Sequence, residues 1–400
     1  MRRYFKEQCV ALLASLEKAD QQTLDLIRQG QHEVAIRMLA DCQQSAIQLG
    51  TTIDTLEGEG SKPVHTLEEY CEAVYQLRER LIAGESVALQ QAEADLHQLT
   101  DRTKREIRED LRTQFEAVFC PYKAAMWDSL ESIYRAAAAD PDCEAVCIPI
   151  PYYDMEDDGS RRAGHYEGDQ FPVDIPIVRF DTYELEKRHP EMIFIHNPYD
   201  QYNKVTTVHP RFFSENLKKY TDCLVYVPYY ATAGAMAASQ AMLPAYDHAD
   251  YIITQSPEIN DFFDPRVKGK LVPLGSPKFD KVIHTCAEPP APPEAWRGQL
   301  EGRRVFFYNV SLQDFLADTG AALQKMEYVF RTFRSQQDAC LLWRPHPLLE
   351  STIDTMRPAA REPYEALKQM FISERIGIYD DTADIEASIA LSDAYIGDSA

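Results

Sequence analysis

The sequence predicts an α/β protein in which a helical N-terminal region precedes two units built on parallel sheets. Three observations carry that expectation. Residues 1 to about 115 are rich in Leu, Ala, Gln, Glu and Arg and poor in β-branched runs, a helical composition. From about 116 onward, short apolar runs of strand length alternate with helical or loop segments, as in a parallel sheet with crossovers. The stretch Ala287-Glu-Pro-Pro-Ala-Pro-Pro-Glu294 then divides that second part as a stiff linker. The expected organisation is a helical region over 1–115, a first α/β unit over 116–286, the linker over 287–294 and a second unit over 295–400.

Within the helical region, Gly58-Glu-Gly60-Ser-Lys-Pro63 breaks the pattern, and Thr66-Leu-Glu-Glu69 has the form of a capping box opening a new helix. Apolar residues at three- and four-residue steps from Leu89 through Leu96, Leu99 and Ile107 to Leu111 and Phe115 predict a helical hairpin or short coiled coil, read as a spacer or dimerisation arm. An amphipathic helix is expected over 123–139, followed by strands at 145–150, 192–195, 223–227, 251–254 and 271–274. The second unit opens with a strand at 304–308.

Composition narrows the class of function. Four hundred residues exceed one ordinary core, and 45% apolar with 26% charged residues is the balance of a soluble globular protein. No run of about 18 apolar residues occurs, and the N-terminus turns charged again before a signal-peptide apolar region forms, so a cytoplasmic location is expected. A formal charge of -23 excludes a broad nucleic-acid-binding face. The basic residues Arg102, Lys104, Arg105, Arg108 and Arg112 read as a solvated helix face. Nine scattered cysteines without zinc-ribbon spacing are expected as reduced thiols. Asp140-Pro-Asp142 and the acidic run 154–158 read as turn and loop carboxylates, and no metal site is expected.

The chemistry concentrates where apolar runs end. Cys340-Leu-Leu-Trp-Arg344-Pro-His346-Pro347, Arg375-Ile-Gly-Ile-Tyr-Asp380-Asp381 and Ser392-Asp-Ala-Tyr-Ile-Gly-Asp398-Ser399-Ala400 deliver polar groups at strand carboxyl ends, where open α/β sheets bind ligands. Arg344 offers a planar fork for phosphate oxygens, His346 adds a donor, and Gly397-Asp398-Ser399-Ala400 reads as a strand-to-helix turn suited to an anion. The reading is a phosphorylated, nucleotide-containing ligand. At another strand end, His196 is a candidate general base, with Asp200 and His209 as competitors in the loop that follows.

Taken in order, these strand ends resemble the CDP-glycerol glycerophosphotransferase family, the teichoic-acid-type polymerases and primases of GT-B fold. Ile195-His196-Asn-Pro198 falls at that family's His-Gly-Thr-Pro segment, and Asp250-Tyr-Ile-Ile-Thr-Gln-Ser256 falls on its strand ending in Ser. Leu274-Gly275-Ser-Pro277-Lys-Phe-Asp280 resembles Gly-x-Pro-Arg-x-Asp, Tyr308-Asn-Val-Ser311 stands at the opening of the second domain, and Arg344-Pro-His346-Pro347 matches Arg-x-His-Pro. Asp381, Asp384-Ile385 and Ser392 to Ser399 resemble Asp-Ile followed by Ser-Asp-x-x-Ile-Thr-Asp-Tyr-Ser-Ser. The resemblance covers roughly 145 to 400. It departs at Asn197 in place of Gly, at Asn309-Val-Ser311-Leu in place of Pro-Thr-x-Arg, and at Asp398-Ser-Ala in place of Asp-Tyr-Ser-Ser.

The resemblance implies a GT-B-like pair of Rossmann-type domains and a metal-independent transfer, with no cofactor. Glycerol phosphate or a related polyol phosphate would pass from a CDP-activated donor to a hydroxyl of a cell-envelope or capsule precursor, a polyol-phosphate or glycan acceptor, free or lipid-linked. Arg344, His346, Ser311, Asp398 and Ser399, with Asp381 and Asp384 as positioning groups, would hold the donor; His196 would take the acceptor proton. Peripheral contact with the inner face of the membrane and self-association through the N-terminal helices are further expectations. Two rivals stay open at this point: a nucleotide-sugar glycosyltransferase or epimerase of the same fold, and an inactive assembly module. The turn at 397–400 leads the sequence reading to expect a C-terminal domain that continues past Ala400.

Overall fold

The computed structural model describes all residues except 157–158, 204–205, 233–235, 237, 347–348, 383–384 and 399–400. Four helices come first: α1 (Arg3–Arg28), α2 (His32–Glu57), α3 (Lys62–Ile82) and α4 (Leu89–Glu109). Connections of a few residues make successive helices antiparallel neighbours. Gly30, at φ 75, supplies the left-handed residue that ends α1. Each helix packs on two others around one core of Leu13, Leu24, Leu39, Ile53, Tyr70 and Ile107. The expected hairpin or coiled coil is therefore a four-helix bundle. The stripe on α4 was legible, but α1, α2 and α3 carry stripes of their own, and four stripes close a core that two would leave half open.

Thirteen strands follow. The first sheet is wholly parallel, in the order β2–β1–β5–β7–β8–β9, from β1 (Phe115–Cys120), β2 (Cys143–Cys147), β5 (Met192–Ile195), β7 (Cys223–Tyr226), β8 (Tyr251–Thr254) and β9 (Leu271–Pro273). Beside it lies a small antiparallel sheet, β4–β3–β6, from β3 (Tyr152–Met155), β4 (Arg161–His165) and β6 (Thr206–Val208). The second unit is parallel, in the order β12–β11–β10–β13, from β10 (Arg304–Val310), β11 (Ala339–Pro345), β12 (Gly377–Tyr379) and β13 (Ala394–Gly397). The chain is thus a pair of parallel α/β units of Rossmann type behind a helical region.

Two sequence expectations need correction here. Strand β1, second from the sheet edge, stands where the sequence predicts the end of a helical stripe, because Phe115 falls in phase with Ile107 and Leu111; the strand is betrayed only by the apolar run closed by Pro121. The helix expected over 123–139 is a 3-10 segment, Ala124–Ser129, and a separate helix, Glu131–Ala139.

The bundle docks at the amino ends of the strands. Buried Arg2 meets Glu116 of β1 at 2.8 Å and Glu191, just before β5, at 3.1 Å. Its fork also donates to the Arg188 and His189 carbonyls at 2.7 Å each. Glu191 accepts the backbone N–H groups of Tyr4 and Glu116 as well, so the charges on this seam are paired and bonded. With the bundle on the amino edge, the carboxyl edge stays open for a ligand.

One helix, Pro277–Ala287, joins the two units. Lys278 pairs with Asp128, which lies in the 3-10 segment Ala124–Ser129 that follows β1, and Ser132 donates to Asp280 at 2.6 Å. Lys281 reaches Glu386 at 3.3 Å, in the helix Ile385–Ala390 that follows β12. The second core gathers Tyr308, Phe330, Trp343, Tyr364 and Phe371, with the Phe330 ring 4.7 Å from both Trp343 and Phe371. Among the described residues no helix is long and apolar enough to cross a membrane, and all nine cysteines are free.

Candidate functional site

Strand order locates the site in each sheet. In β2–β1–β5 the chain direction across the sheet reverses between β1 and β5, and in β11–β10–β13 it reverses between β10 and β13. Ligands of open α/β sheets bind outside the carboxyl ends at such points. His196 follows β5 and Tyr122 follows β1, so they flank the first reversal. Ser311 follows β10 and Asp398 follows β13, so they flank the second.

At the first reversal His196 is completely buried. Its Nε2 accepts the Tyr122 N–H at 3.1 Å, which puts the ring proton on Nδ1, 3.0 Å from Ser129 Oγ; that hydroxyl in turn donates to the Met126 carbonyl at 2.7 Å. Burial holds its pKa down at about 3. With both nitrogens engaged, the imidazole pins the β1 turn to the 3-10 segment, and it offers no lone pair to an acceptor hydroxyl in this geometry. The two competitors are also occupied. Asp200, at φ 47, accepts from the Ser214 N–H at 2.9 Å and from Ser214 Oγ at 2.5 Å, capping a short helix, and burial raises its pKa. His209 Nδ1 accepts the Arg211 N–H at 3.2 Å, and burial together with Arg161 and Arg211 lowers its pKa.

At the second reversal Arg344 takes a partner that the sequence reading did not select. Register sets Trp343 beside Tyr379, so the next residues, Arg344 and Asp380, stand side by side. Arg344 Nη1 meets Asp380 Oδ2 at 2.6 Å, and Nη2 donates to the Thr382 carbonyl at 2.7 Å. Both side chains are buried, with 8% and 0% exposed. Asp380 also accepts from the Thr382 N–H at 2.9 Å and from Ser388 Oγ. Burial opposes its ionisation, but the hydrogen bonds from Ser388, Thr382 and Arg344 outweigh it and hold its pKa below the usual carboxylate value. The two terminal nitrogens of the guanidinium are thus engaged, Nη1 by the Asp380 carboxylate and Nη2 by the Thr382 carbonyl. Asp381, the neighbour selected from sequence, is exposed. The positions of Asp384 and Ser399 lie outside the described residues.

Two of the other expected donor groups, Ser311 and Asp398, meet. Ser311 Oγ caps the helix Leu312–Ala317 by accepting the Asp314 N–H at 3.0 Å, which leaves the hydroxyl proton to donate. The Ser311 N–H donates to Asp398 Oδ2 at 3.0 Å, and Asp398 also pairs with Lys325. Between them Asn309 stands in register with both Arg344 and Gly397, its Oδ1 buried without a hydrogen-bond partner among the described residues. His346, one residue beyond β11, is half-buried, and burial lowers its pKa.

Sequence reasoning passed over one more constellation. Beyond the end of β1, the Lys123 ammonium lies 5.0 Å from the ring centre of Tyr152 and 5.7 Å from that of Tyr122. On the small sheet, His165 Nε2 and Asp154 Oδ2 are 2.7 Å apart. The only signal for this in the sequence was the acidic run containing Asp154.

No family model matches the sequence, and a search of curated proteins finds no match. Several solved structures share part of the chain trace. The S. aureus MnaA–UDP complex is 11% identical with a TM-score of 0.44, over 72% of this chain and 74% of that one. A putative UDP-N-acetylglucosamine 2-epimerase from Listeria monocytogenes is 14% identical with a TM-score of 0.44, over the same shares. The wall teichoic acid polymerase TagF is 11% identical with a TM-score of 0.34, over 85% of this chain and 75% of that one.

Proposed function

We propose that the protein transfers a polyol phosphate, glycerol phosphate or a close relative, from a CDP-activated donor to a hydroxyl of a cell-envelope precursor. The observation that carries this reading is the convergence of both carboxyl edges on the helix Pro277–Ala287, through Lys278 to Asp128 on one side and Lys281 to Glu386 on the other. Two parallel sheets that turn their ligand-binding edges toward one connecting helix form a cleft with a donor half and an acceptor half. The choice of CDP and of a polyol phosphate rests on the resemblance of the strand-end motifs. In this reading Asn309, Ser311 and His346 contact the donor phosphates, while Arg344, Asp380 and Asp398 tie the strand ends that present them. The reaction uses no metal or cofactor, and the acceptor is a polyol phosphate or glycan met at the inner membrane face.

A second reading, an assembly module without turnover, is favoured by the filled Arg344 fork and the engaged nitrogens of His196. Calorimetric titration of the whole chain with CDP-glycerol, UDP-N-acetylglucosamine and CDP, followed by a single-turnover assay with the ligand that binds, separates the readings. Tight CDP-glycerol binding with release of CMP on addition of acceptor is expected. Preference for the UDP-sugar would move the assignment to nucleotide-sugar chemistry, and binding without turnover would establish the module.

A further inference from the structure

The small sheet β4–β3–β6 forms a wall beside the end of β1. Register pairs Tyr152 with His165 and with Val208, and Asp154 with Thr206, so Tyr152, Asp154, His165 and Thr206 share one face. The His165 ring stacks on Tyr152 at 5.0 Å, and Tyr152 meets Tyr122 edge-on at 5.5 Å. The Tyr152 hydroxyl donates to Glu167 Oε1 at 2.5 Å, while Glu167 Oε2 accepts the Ala124 N–H at 2.8 Å. These contacts fix the aromatic ring on which His165 rests. They also fasten the wall to the segment that carries Lys123.

Among the described residues, one group on this wall and one beside it keep a polar atom without a hydrogen-bond partner. His165 gives Nε2–H to Asp154 at 2.7 Å, which leaves Nδ1 as the basic nitrogen of the neutral ring, and its side chain is 38% exposed. The arrangement is a base oriented by a carboxylate. Lys123 forms no ion pair among the described residues and holds its ammonium over two aromatic rings instead. A cation in that position can accept an anionic ligand without first breaking a salt bridge, unlike Arg344. The contrast with His196, buried with both nitrogens engaged, is direct.

We propose that Lys123, beyond the end of β1, and the Asp154–His165 pair on the neighbouring face of β3 and β4 form the acceptor site for a phosphate-bearing polyol, with Lys123 holding the phosphate and His165, oriented by Asp154, serving as the base. The catalytic part rests on the transfer reaction proposed above. In the step, the acceptor O–H bond breaks and the proton passes to His165 Nδ1. The freed oxygen bonds to the phosphorus that carries the donor polyol, and the bond from that phosphorus to the bridging oxygen breaks, so that CMP leaves with the electron pair.

Nuclear magnetic resonance of the whole chain, following the histidine ring signals during titration with glycerol 3-phosphate, tests the site without any nucleotide. The His165 signals should move in the wild type and remain still in Lys123→Ala. Asp154→Ala should shift the His165 ring proton from Nε2 toward Nδ1 in ¹⁵N spectra, with circular dichroism unchanged. His165→Gln should slow transfer by about 10²- to 10⁴-fold while donor affinity stays within about twofold. Unmoved His165 signals in the wild type, or wild-type turnover in His165→Gln, would overturn the proposal. Failure of the chain to bind CDP would instead overturn the donor reading, because the glycerol 3-phosphate titration is independent of it.

Discussion

Arg344 and Asp380 meet at 2.6 Å across the carboxyl ends of β11 and β12, and with Thr382 and Ser388 they close a buried polar knot where the sequence promised an open phosphate fork. The knot ties two strand ends together. Its first consequence is mechanical.

Arg344→Ala leaves Asp380 buried without its cation, and removing one partner of a buried pair costs about 3–5 kcal/mol. Chemical denaturation should show a loss of that size, and the double variant Arg344→Ala with Asp380→Ala should recover part of it. A loss below about 1 kcal/mol would mean that the pair is open in solution and free to bind phosphate.

His196 should make stability depend on pH. Its folded pKa is about 3, against roughly 6.5 in the unfolded chain, so between those values the unfolded state binds the extra proton and stability falls as pH falls. Asp20 acts in the opposite sense. Burial raises its folded pKa to about 6, so the folded state binds the extra proton from there down to about 3.9. The two contributions oppose each other in one protein, and a variant is needed to separate them. The stability advantage of wild type over His196→Gln should shrink by about 2 kcal/mol between pH 7 and pH 5. Urea denaturation at those two values measures it, and a constant difference would show that the ring titrates normally in the fold.

Gly377 sits where β12 approaches β11 so closely that a Cβ would lie 2.0 Å from the Leu341 carbonyl oxygen. The obstacle is backbone, so the strands themselves must part. Gly377→Ala should lower stability by about 1–3 kcal/mol or more. Gly269→Ala, with nothing within 4 Å of the added carbon, serves as the control and should change thermal stability by no more than about 0.5 kcal/mol.

The helix Pro277–Ala287 is tied to both units by lysine pairs in its first turns, Lys278 to Asp128 and Lys281 to Glu386, so charge reversal should loosen the two units. Lys281→Glu places a like charge beside Glu386, whose side chain is 9% exposed. Small-angle scattering should show a larger radius of gyration for this variant at low salt, while Lys268→Glu, on a mostly exposed pair, should match the wild type. Equal values for the two variants would show that other contacts set the cleft.

Much of the architecture was legible because it depends on local pattern. The runs that became β5, β7, β8, β9, β10 and β11 are apolar, short and bounded by turn residues, and such runs form strands wherever they lie. Strand β1 was missed because Phe115 continues the α4 spacing, and period alone cannot show where a helix has ended. The candidate site was legible as a set of positions: Ser311, Arg344, His346 and Asp398 all stand at strand carboxyl ends, since alternation along a strand decides where each side chain emerges.

What those positions do was decided in three dimensions. By itself the sequence determined the helical and α/β composition, the parallel sheets and the strand ends that carry polar residues, all of them consequences of neighbours along the chain. Only the tertiary structure decided that Arg344 faces Asp380, that His196 is held by Tyr122 and Ser129, that four helices close one bundle, that His165 bonds Asp154, and that Lys123 rests over Tyr152 and Tyr122. The physical reason is valence. A side chain has a fixed number of hydrogen bonds and one charge to satisfy, and whether a residue distant in sequence satisfies them first depends on strand register and packing, which local pattern does not encode.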